Sequence, residues 1–235
     1  MNNAKFLLLL LTLAFSPFLT GCATTPANPD PWEGLNRKTF AFNEVVDKAV
    51  LKPLAKGYTA ITPAPVEKGV SNVLDNLFYP TVIVNQLLQG KATNAIKDTT
   101  RFLVNSTVGL LGIFDVASKA GLPAHREDFG QTLAVWGITN SPYLVLPILG
   151  PSTARDGVGR VADTFTNPIF YVNDTATRYA LVAMATVDTR ARQLKAESII
   201  SGDKYLFLRD AYLQRRHYQI NDGRVEEQDP FLADQ

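Results

Sequence analysis

Apolar residues recur along most of this chain at helical spacing. Val66, Val70, Val73, Leu74 and Leu77 fall at i, i+4, i+7, i+8 and i+11, one face of a coil with about 3.6 residues per turn. Leu35, Phe42, Val45, Val46 and Ala49 form another stripe ahead of Pro53. Ile96, Leu103, Val104, Thr107, Val108 and Leu111 share a face from about residue 92. A short helix is expected over 128–137, then periodic segments over 153–165 and 175–200, the second broken near Asp188. Tyr205, Leu208, Tyr212 and Leu213 mark a last helix. Asp30-Pro31-Trp32-Glu33 reads as a capped helix start, and Thr62-Pro63 as a second. Pro80 should end the helix that begins there, with a new one from Thr81 to Gln89 stopping at Gly90. No convincing alternation of period two is visible, so the expected class is all-α.

The middle of the chain differs. Gly109, Gly112, Gly121, Gly130, Gly137, Gly150, Gly157 and Gly159 are more than half of the 15 glycines. The stretch SPYLVLPILGPS (141–152) is very apolar, yet Pro142, Pro147 and Pro151 forbid an ordinary helix. Two readings stand for it: a buried irregular loop, or an apolar rim that touches lipid or a partner. Tyr143, Leu144, Val145 and Leu146 are then candidate channel or rim residues. Gly137 and Gly150 are candidate hinges, because glycine permits close backbone approach and movement. No stretch after Cys22 reaches 18 apolar residues, so a spanning helix is not expected. Residues 221–235 carry Asp222, Glu226, Glu227, Asp229 and Asp234 against Arg224 alone, an acidic, disordered tail.

The first 21 residues read as an export signal. Lys5 supplies the positive end and Phe6 to Phe18 an apolar core too short to span a bilayer. Leu19-Thr20-Gly21-Cys22 resembles a bacterial lipobox, which would place S-diacylglycerol and an N-acyl chain on Cys22, the only cysteine. Ala23, where an aspartate would signal retention in the inner membrane, favours the outer membrane. Two or more acyl chains at ~0.8 kcal/mol per buried methylene give lasting attachment. The tether, 22–29, is short: the residues after Cys22 reach at most about 25 Å. A body starting at Asp30 must therefore lie against the bilayer.

Charge removes some function classes. The chain has 23 basic and 22 acidic residues. Removing Lys5 with the leader leaves none of the +1 net charge. Nucleic acid is thereby an improbable partner, since no cation excess exists to displace phosphate counterions. One cysteine and two histidines allow no internal disulfide and argue against a metal site. His125-Arg126-Glu127-Asp128 is the only cluster with a titratable centre, and reads as a solvated charged turn. No nucleophile elbow or nucleotide-binding glycine motif is present. GPSTARD (150–156) offers Ser152 or Thr153 as a helix cap and Arg155 with Asp156 as a charge pair. Trp32 and Trp136 suit either a membrane interface or a core.

Five blocks in order carry a resemblance: DPWEGLNRKTFAFN (30–43), NLFYPTVIVNQLLQGK (76–91), RFLVNSTVGLLGIFD (101–115), EDFGQTLAVWGI (127–138) and SPYLVLPILGPSTARD (141–156). Together they resemble the MlaA/VacJ outer-membrane lipoprotein family over about residues 22–220. The resemblance implies one helical domain over 30–220: a ring of amphipathic helices set in the periplasmic leaflet, around a central amphipathic channel. It implies a phospholipid transporter and not an enzyme, with no cofactor. Phospholipid mislocalised in the outer leaflet would pass through it to a periplasmic carrier, MlaC, with a trimeric porin as a second partner. Phe40, Phe42 and Asn43 become candidates for leaflet or channel contact. A phospholipid has roughly 30 methylenes, so exposure to water costs on the order of 20 kcal/mol at ~0.8 kcal/mol each. Any conduit must be apolar along the tails and polar at the headgroup. Two rivals remain: a structural porin-associated lipoprotein that conducts no lipid, and a lipid-modifying hydrolase.

Overall fold

A computed structural model describes residues 28–224. Leu19, Thr20, Gly21 and Cys22, with the rest of the leader, lie outside the described residues, as do residues 225–235 of the acidic tail. Helices dominate the chain, as the periodicity predicts, but their starts differ from expectation in two places. Helix α1 spans Glu33–Val46 with Trp32 ahead of it and no side-chain cap. Asp30 is buried and serves elsewhere: it accepts from Asn36 Nδ2 (2.8 Å) and from the Tyr205 hydroxyl. Thr62 caps nothing at its own N-terminal side. It closes helix α2 (Lys52–Ile61), and the following helix begins on the Pro63 carbonyl. Between α1 and α2 lies a π-helical turn, Asp47–Leu51, in which Lys52 N–H reaches back to the Asp47 carbonyl. Pro53 explains it: proline lacks the N–H that Ala49 would normally use, and a widened turn accommodates the loss.

Helix α3, Ala64–Leu88, runs straight through Pro80. Sequence punctuation predicts a stop there. Tyr79, Thr81 and Val82 are all buried beside it, so packing on both sides outweighs one missing hydrogen bond. The helix ends at a turn with Gly90 at φ 75°, where Lys91 N–H bonds the Gln86 carbonyl. Helix α4, Ala92–Thr107, packs back along α3. The short α5 (Val116–Lys119) is capped by Asp115, and α6 (Phe129–Val135) by Asp128.

A two-stranded sheet follows, where no strand is expected. Strand β1 (Tyr143–Leu146) pairs antiparallel with β2 (Gly150–Thr153), Tyr143 opposite Thr153 and Leu146 opposite Gly150. Four residues per strand are too few for alternation to register. The free edge of β1 is finished by α1 rather than by another strand. Asn36 donates to the Tyr143 carbonyl (3.1 Å) and accepts from Val145 N–H (2.9 Å). Asn43, two turns on, donates to the Leu146 carbonyl (2.9 Å) and accepts from Ile148 N–H (2.7 Å). Pro29 takes the remaining Tyr143 N–H.

Helix α7 (Ala154–Asp163) starts at a Thr153 cap, as the sequence indicates. A 3-10 turn (Pro168–Tyr171) leads to α8, Thr175–Gln193, which continues past Asp188 without a break and gives way to a 3-10 turn only at Leu194–Ile199. Asp188 is fully buried and takes a hydrogen bond from Ser71 (2.6 Å), which holds the helix where polarity alone suggests an interruption. Helix α9, Lys204–Ile220, is capped by Asp203. The start of the predicted acidic tail is ordered: Asp222 pairs with Lys91.

The interior is unusual. Its largest fully buried side chains include Gln86, Gln131, Asn36, Asn85, Asp98 and Asp188. The apolar stripe of α4 faces out, with Ile96 68% and Leu103 54% exposed, while Asp98, Arg101 and Asn105 face in. Ile61, Phe165 and Tyr171 are likewise exposed. Among the described residues a hydrophobic cluster forms where Tyr143 and Val145 of the hairpin meet Tyr205, with Phe40, Tyr212 and Leu213 packed around them. Among the described residues no helix is long and apolar enough to cross a membrane.

Candidate functional site

A cavity of about 810 Å³ opens among α3, α4, α7, α8, α9 and the 124–128 segment. Its lining is mixed: Leu74, Phe78, Val82, Ala185 and Ala196 are apolar, and most of the other lining residues are polar or charged. Arg101 is anchored by Ser118 Oγ (2.8 Å), the Leu122 carbonyl (2.7 Å) and Asp115 (2.7 Å), with Tyr79 under its guanidinium. Burial would raise the Asp115 carboxyl, but its bonds from Ser118, Arg101 and Asn105 prevail and hold it at about 2. Burial pushes the Tyr79 hydroxyl up to about 12.

Arg216 is the hub at the other end. It donates to both Asp128 oxygens (2.6 and 2.5 Å) and to Asp156 (2.8 Å). Tyr212 adds a hydrogen bond to Asp156 (2.7 Å), which joins α9 to α7. Burial works against ionisation of both aspartates, and the arginine's charge and hydrogen bonds reverse it, so both carboxyls lie below the usual range. Glu127 and Asp163 are raised, because burial outweighs their hydrogen bonds. Glycines permit this crowding: a Cβ on Gly159 would sit 2.4 Å from Gly130 N, and one on Gly130 would sit 2.4 Å from Arg216 Nη2.

The 125–128 tetrapeptide is therefore not a solvated turn. His125 Nδ1 meets the buried Asp98 at 2.9 Å, Glu127 is buried against Lys91 (3.1 Å), and Asp128 holds Arg216. Only Arg126 is largely exposed. Arg155 and Asp156 do pair, at 3.0 Å. Trp136 is exposed with its indole N–H on the Leu88 carbonyl (3.1 Å), and Trp32 is 40% exposed.

The residues singled out in the sequence fall elsewhere. Phe40 packs edge-on against Tyr205, with ring centroids 5.6 Å apart, and Tyr143 and Val145 are core residues. Leu144 and Leu146 are half-buried, Phe42 is 51% exposed, and Asn43 holds the hairpin turn. None of these lines the cavity. Gly137 and Gly150 sit at φ 104° and 77° with open space around them. Sequence reading passed over Arg101 and Arg216. The signal was there in α4, where Asp98, Arg101 and Asp98's neighbours at helical spacing form a polar stripe opposite the apolar one. Which stripe faces inward was not.

Helices that turn apolar faces outward around a polar cavity define a class of protein suited to contact with an apolar phase. The signature of the MlaA lipoprotein family matches residues 28–219, and the chain belongs to that family. The intermembrane phospholipid transport system lipoprotein MlaA of Escherichia coli (strain K12) is 34% identical over 221 residues, covering 90% of this chain and 88% of that protein. The protein of the same name from Haemophilus influenzae is 32% identical over 228 residues, covering 92% and 91%. An uncharacterized protein of Rickettsia typhi is 38% identical over 195 residues, covering 81% and 78%. A chain solved in work on the structural basis for maintenance of bacterial outer membrane lipid asymmetry superposes with a TM-score of 0.72 at 33% identity, covering 82% of this chain and 99% of that one.

Proposed function

We propose that this protein is an outer-membrane lipoprotein that takes mislocalised phospholipid from the outer leaflet and passes it to a periplasmic carrier of the MlaC type, beside a trimeric porin. The observation that carries this reading is the cavity lined by both apolar and charged side chains, among helices with apolar outer faces. Such a wall matches a molecule with hydrocarbon tails and a charged head, and the cost of exposing those tails to water, on the order of 20 kcal/mol, is what the enclosure avoids. The relatives named for intermembrane phospholipid transport support the same substrate. In this reading Cys22 bears the acyl chains. Pro29 is held against Tyr143, so the six residues 23–28 reach about 20 Å at most, and the body stays at the bilayer.

The test is twofold. Mature protein purified from cells in mild detergent should carry phospholipid detectable by mass spectrometry. A strain lacking the protein should accumulate outer-leaflet phospholipid and become sensitive to detergent, and a plasmid copy should restore it. Lipid-free protein together with an unaffected strain would reject the proposal.

A further inference from the structure

Three of the six arginines that line the cavity have a carboxylate of their own, and a fourth, Arg126, shares Asp75. Arg101 holds Asp115, Arg216 holds Asp128 and Asp156, and Arg192 holds Asp75 at 3.0 Å. The one remaining wall carboxylate, Glu127, belongs to Lys91. Arg160 and Arg215 are left over. Both are exposed and both line the cavity, and among the described residues neither has a carboxylate within 4.0 Å. Arg160 donates only to the Leu149 and Pro151 carbonyls (3.2 and 3.0 Å), through one hydrogen on each terminal nitrogen. That leaves three of its five N–H groups for another acceptor. The two cations flank one contact: the Tyr212–Asp156 hydrogen bond lies a helical turn before Arg215 on α9 and a turn before Arg160 on α7.

We infer that Arg160 and Arg215 form a site for the phosphodiester of a lipid headgroup, and that the site favours net-anionic headgroups over zwitterionic ones. The inference rests on the reading that the cavity takes phospholipid. A guanidinium matches a phosphate in planar, two-pronged fashion. Here two line one cavity, neither with a carboxylate within 4.0 Å among the described residues, so an entering phosphate meets uncompensated charge. The ammonium of a zwitterionic headgroup has no such reception. Every carboxylate in the wall is engaged by an arginine or lysine, and Arg126, 3.9 Å from the already occupied Asp75, adds another cation. The ammonium would bring one more positive charge beside two cations that no carboxylate compensates.

The experiment uses mature protein in non-ionic detergent and native mass spectrometry with dioctanoyl lipids. The probes are phosphatidylglycerol, phosphatidylethanolamine and dioctanoylglycerol, with inorganic phosphate as competitor. The expected result is phosphatidylglycerol binding about tenfold more tightly than phosphatidylethanolamine. The Arg160→Gln/Arg215→Gln variant should lose that preference while binding dioctanoylglycerol as before, and the Lys/Lys variant should keep most of it. Unchanged melting of the variants establishes that they fold. Equal binding of the two phospholipids by the unaltered protein, or a preference that survives both glutamines, overturns the inference alone. Inorganic phosphate that displaces phosphatidylglycerol at equal concentration marks a free-anion site and overturns the lipid assignment. Failure of every lipid to bind, dioctanoylglycerol included, brings down the transport reading and this inference with it.

Discussion

At the scale of single residues, Arg216 decides the most. Its removal leaves Asp128 and Asp156 facing each other with their charge uncompensated. Arg216→Leu should cost about 3 kcal/mol at pH 7, the low end for breaking a buried pair because Asp128 is partly exposed. Denaturant unfolding measures it. The pH dependence carries a sign. Both aspartates have folded values below the ordinary 3.8, so their stabilisation is complete above that value and is lost as pH falls through the lower, folded ones. Glu127 and Asp163 are raised and act oppositely, since folding strengthens their hold on protons. The melting temperature should therefore hold or rise slightly as pH falls toward about 5, then drop below pH 3.8. In Arg216→Leu the repelling carboxylates are relieved by protonation, so acidification should stabilise. None of this was legible in the sequence, because Asp128 and Arg216 are 88 positions apart. Thr153 as a cap and the Arg155–Asp156 pair were legible, because both are local.

Among elements, helix existence was legible and helix continuity was not. Pro80 and Asp188 look like stops, and each is carried inside a helix by burial of its surroundings. The glycine-rich middle announced close packing without saying where. The structure puts it at the crossing of α6 and α7, through Gly130 and Gly159. Gly159→Ala forces its new carbon against the Gly130 backbone, and should destabilise by about 2–3 kcal/mol, seen as an earlier urea midpoint with unchanged slope. Gly137→Ala meets no neighbour and should cost only about 1 kcal/mol of left-handed backbone strain. The hairpin depends on α1. Asn43→Ala leaves the Leu146 carbonyl and Ile148 N–H without their partners. Hydrogen exchange at Ile148 should speed by at least about fivefold, corresponding to loss of a bond worth ~1 kcal/mol or more, while Val145, held by Asn36, keeps its protection.

Over the whole molecule, many large apolar side chains face outward while amides and charged groups are buried, which is why periodicity found the helices but could not say which of their faces turn inward. In water a large exposed isoleucine forfeits about 1.5–3 kcal/mol that burial would supply, so an outer surface of them is suited to contact with an apolar phase. Ile61→Asp with Ile96→Asp should leave the unfolding free energy within about 0.5 kcal/mol, as for ordinary surface changes, while lowering association of the body with phospholipid vesicles in a flotation assay. Loss of stability instead would mean that these side chains are packed in the protein and not turned to lipid.

The finish given to the β1 edge has a consequence for crowding. An open, apolar strand edge is a template on which other chains extend the sheet. Crowding of copies at high local density multiplies that hazard. Here Asn36, Asn43 and Pro29 occupy the outward backbone groups of one strand, and on the other Pro151 has no N–H to offer while Arg160 takes its carbonyl. The hairpin can thus carry a greasy tip, Ile148 and Leu149, without seeding aggregation among neighbouring copies.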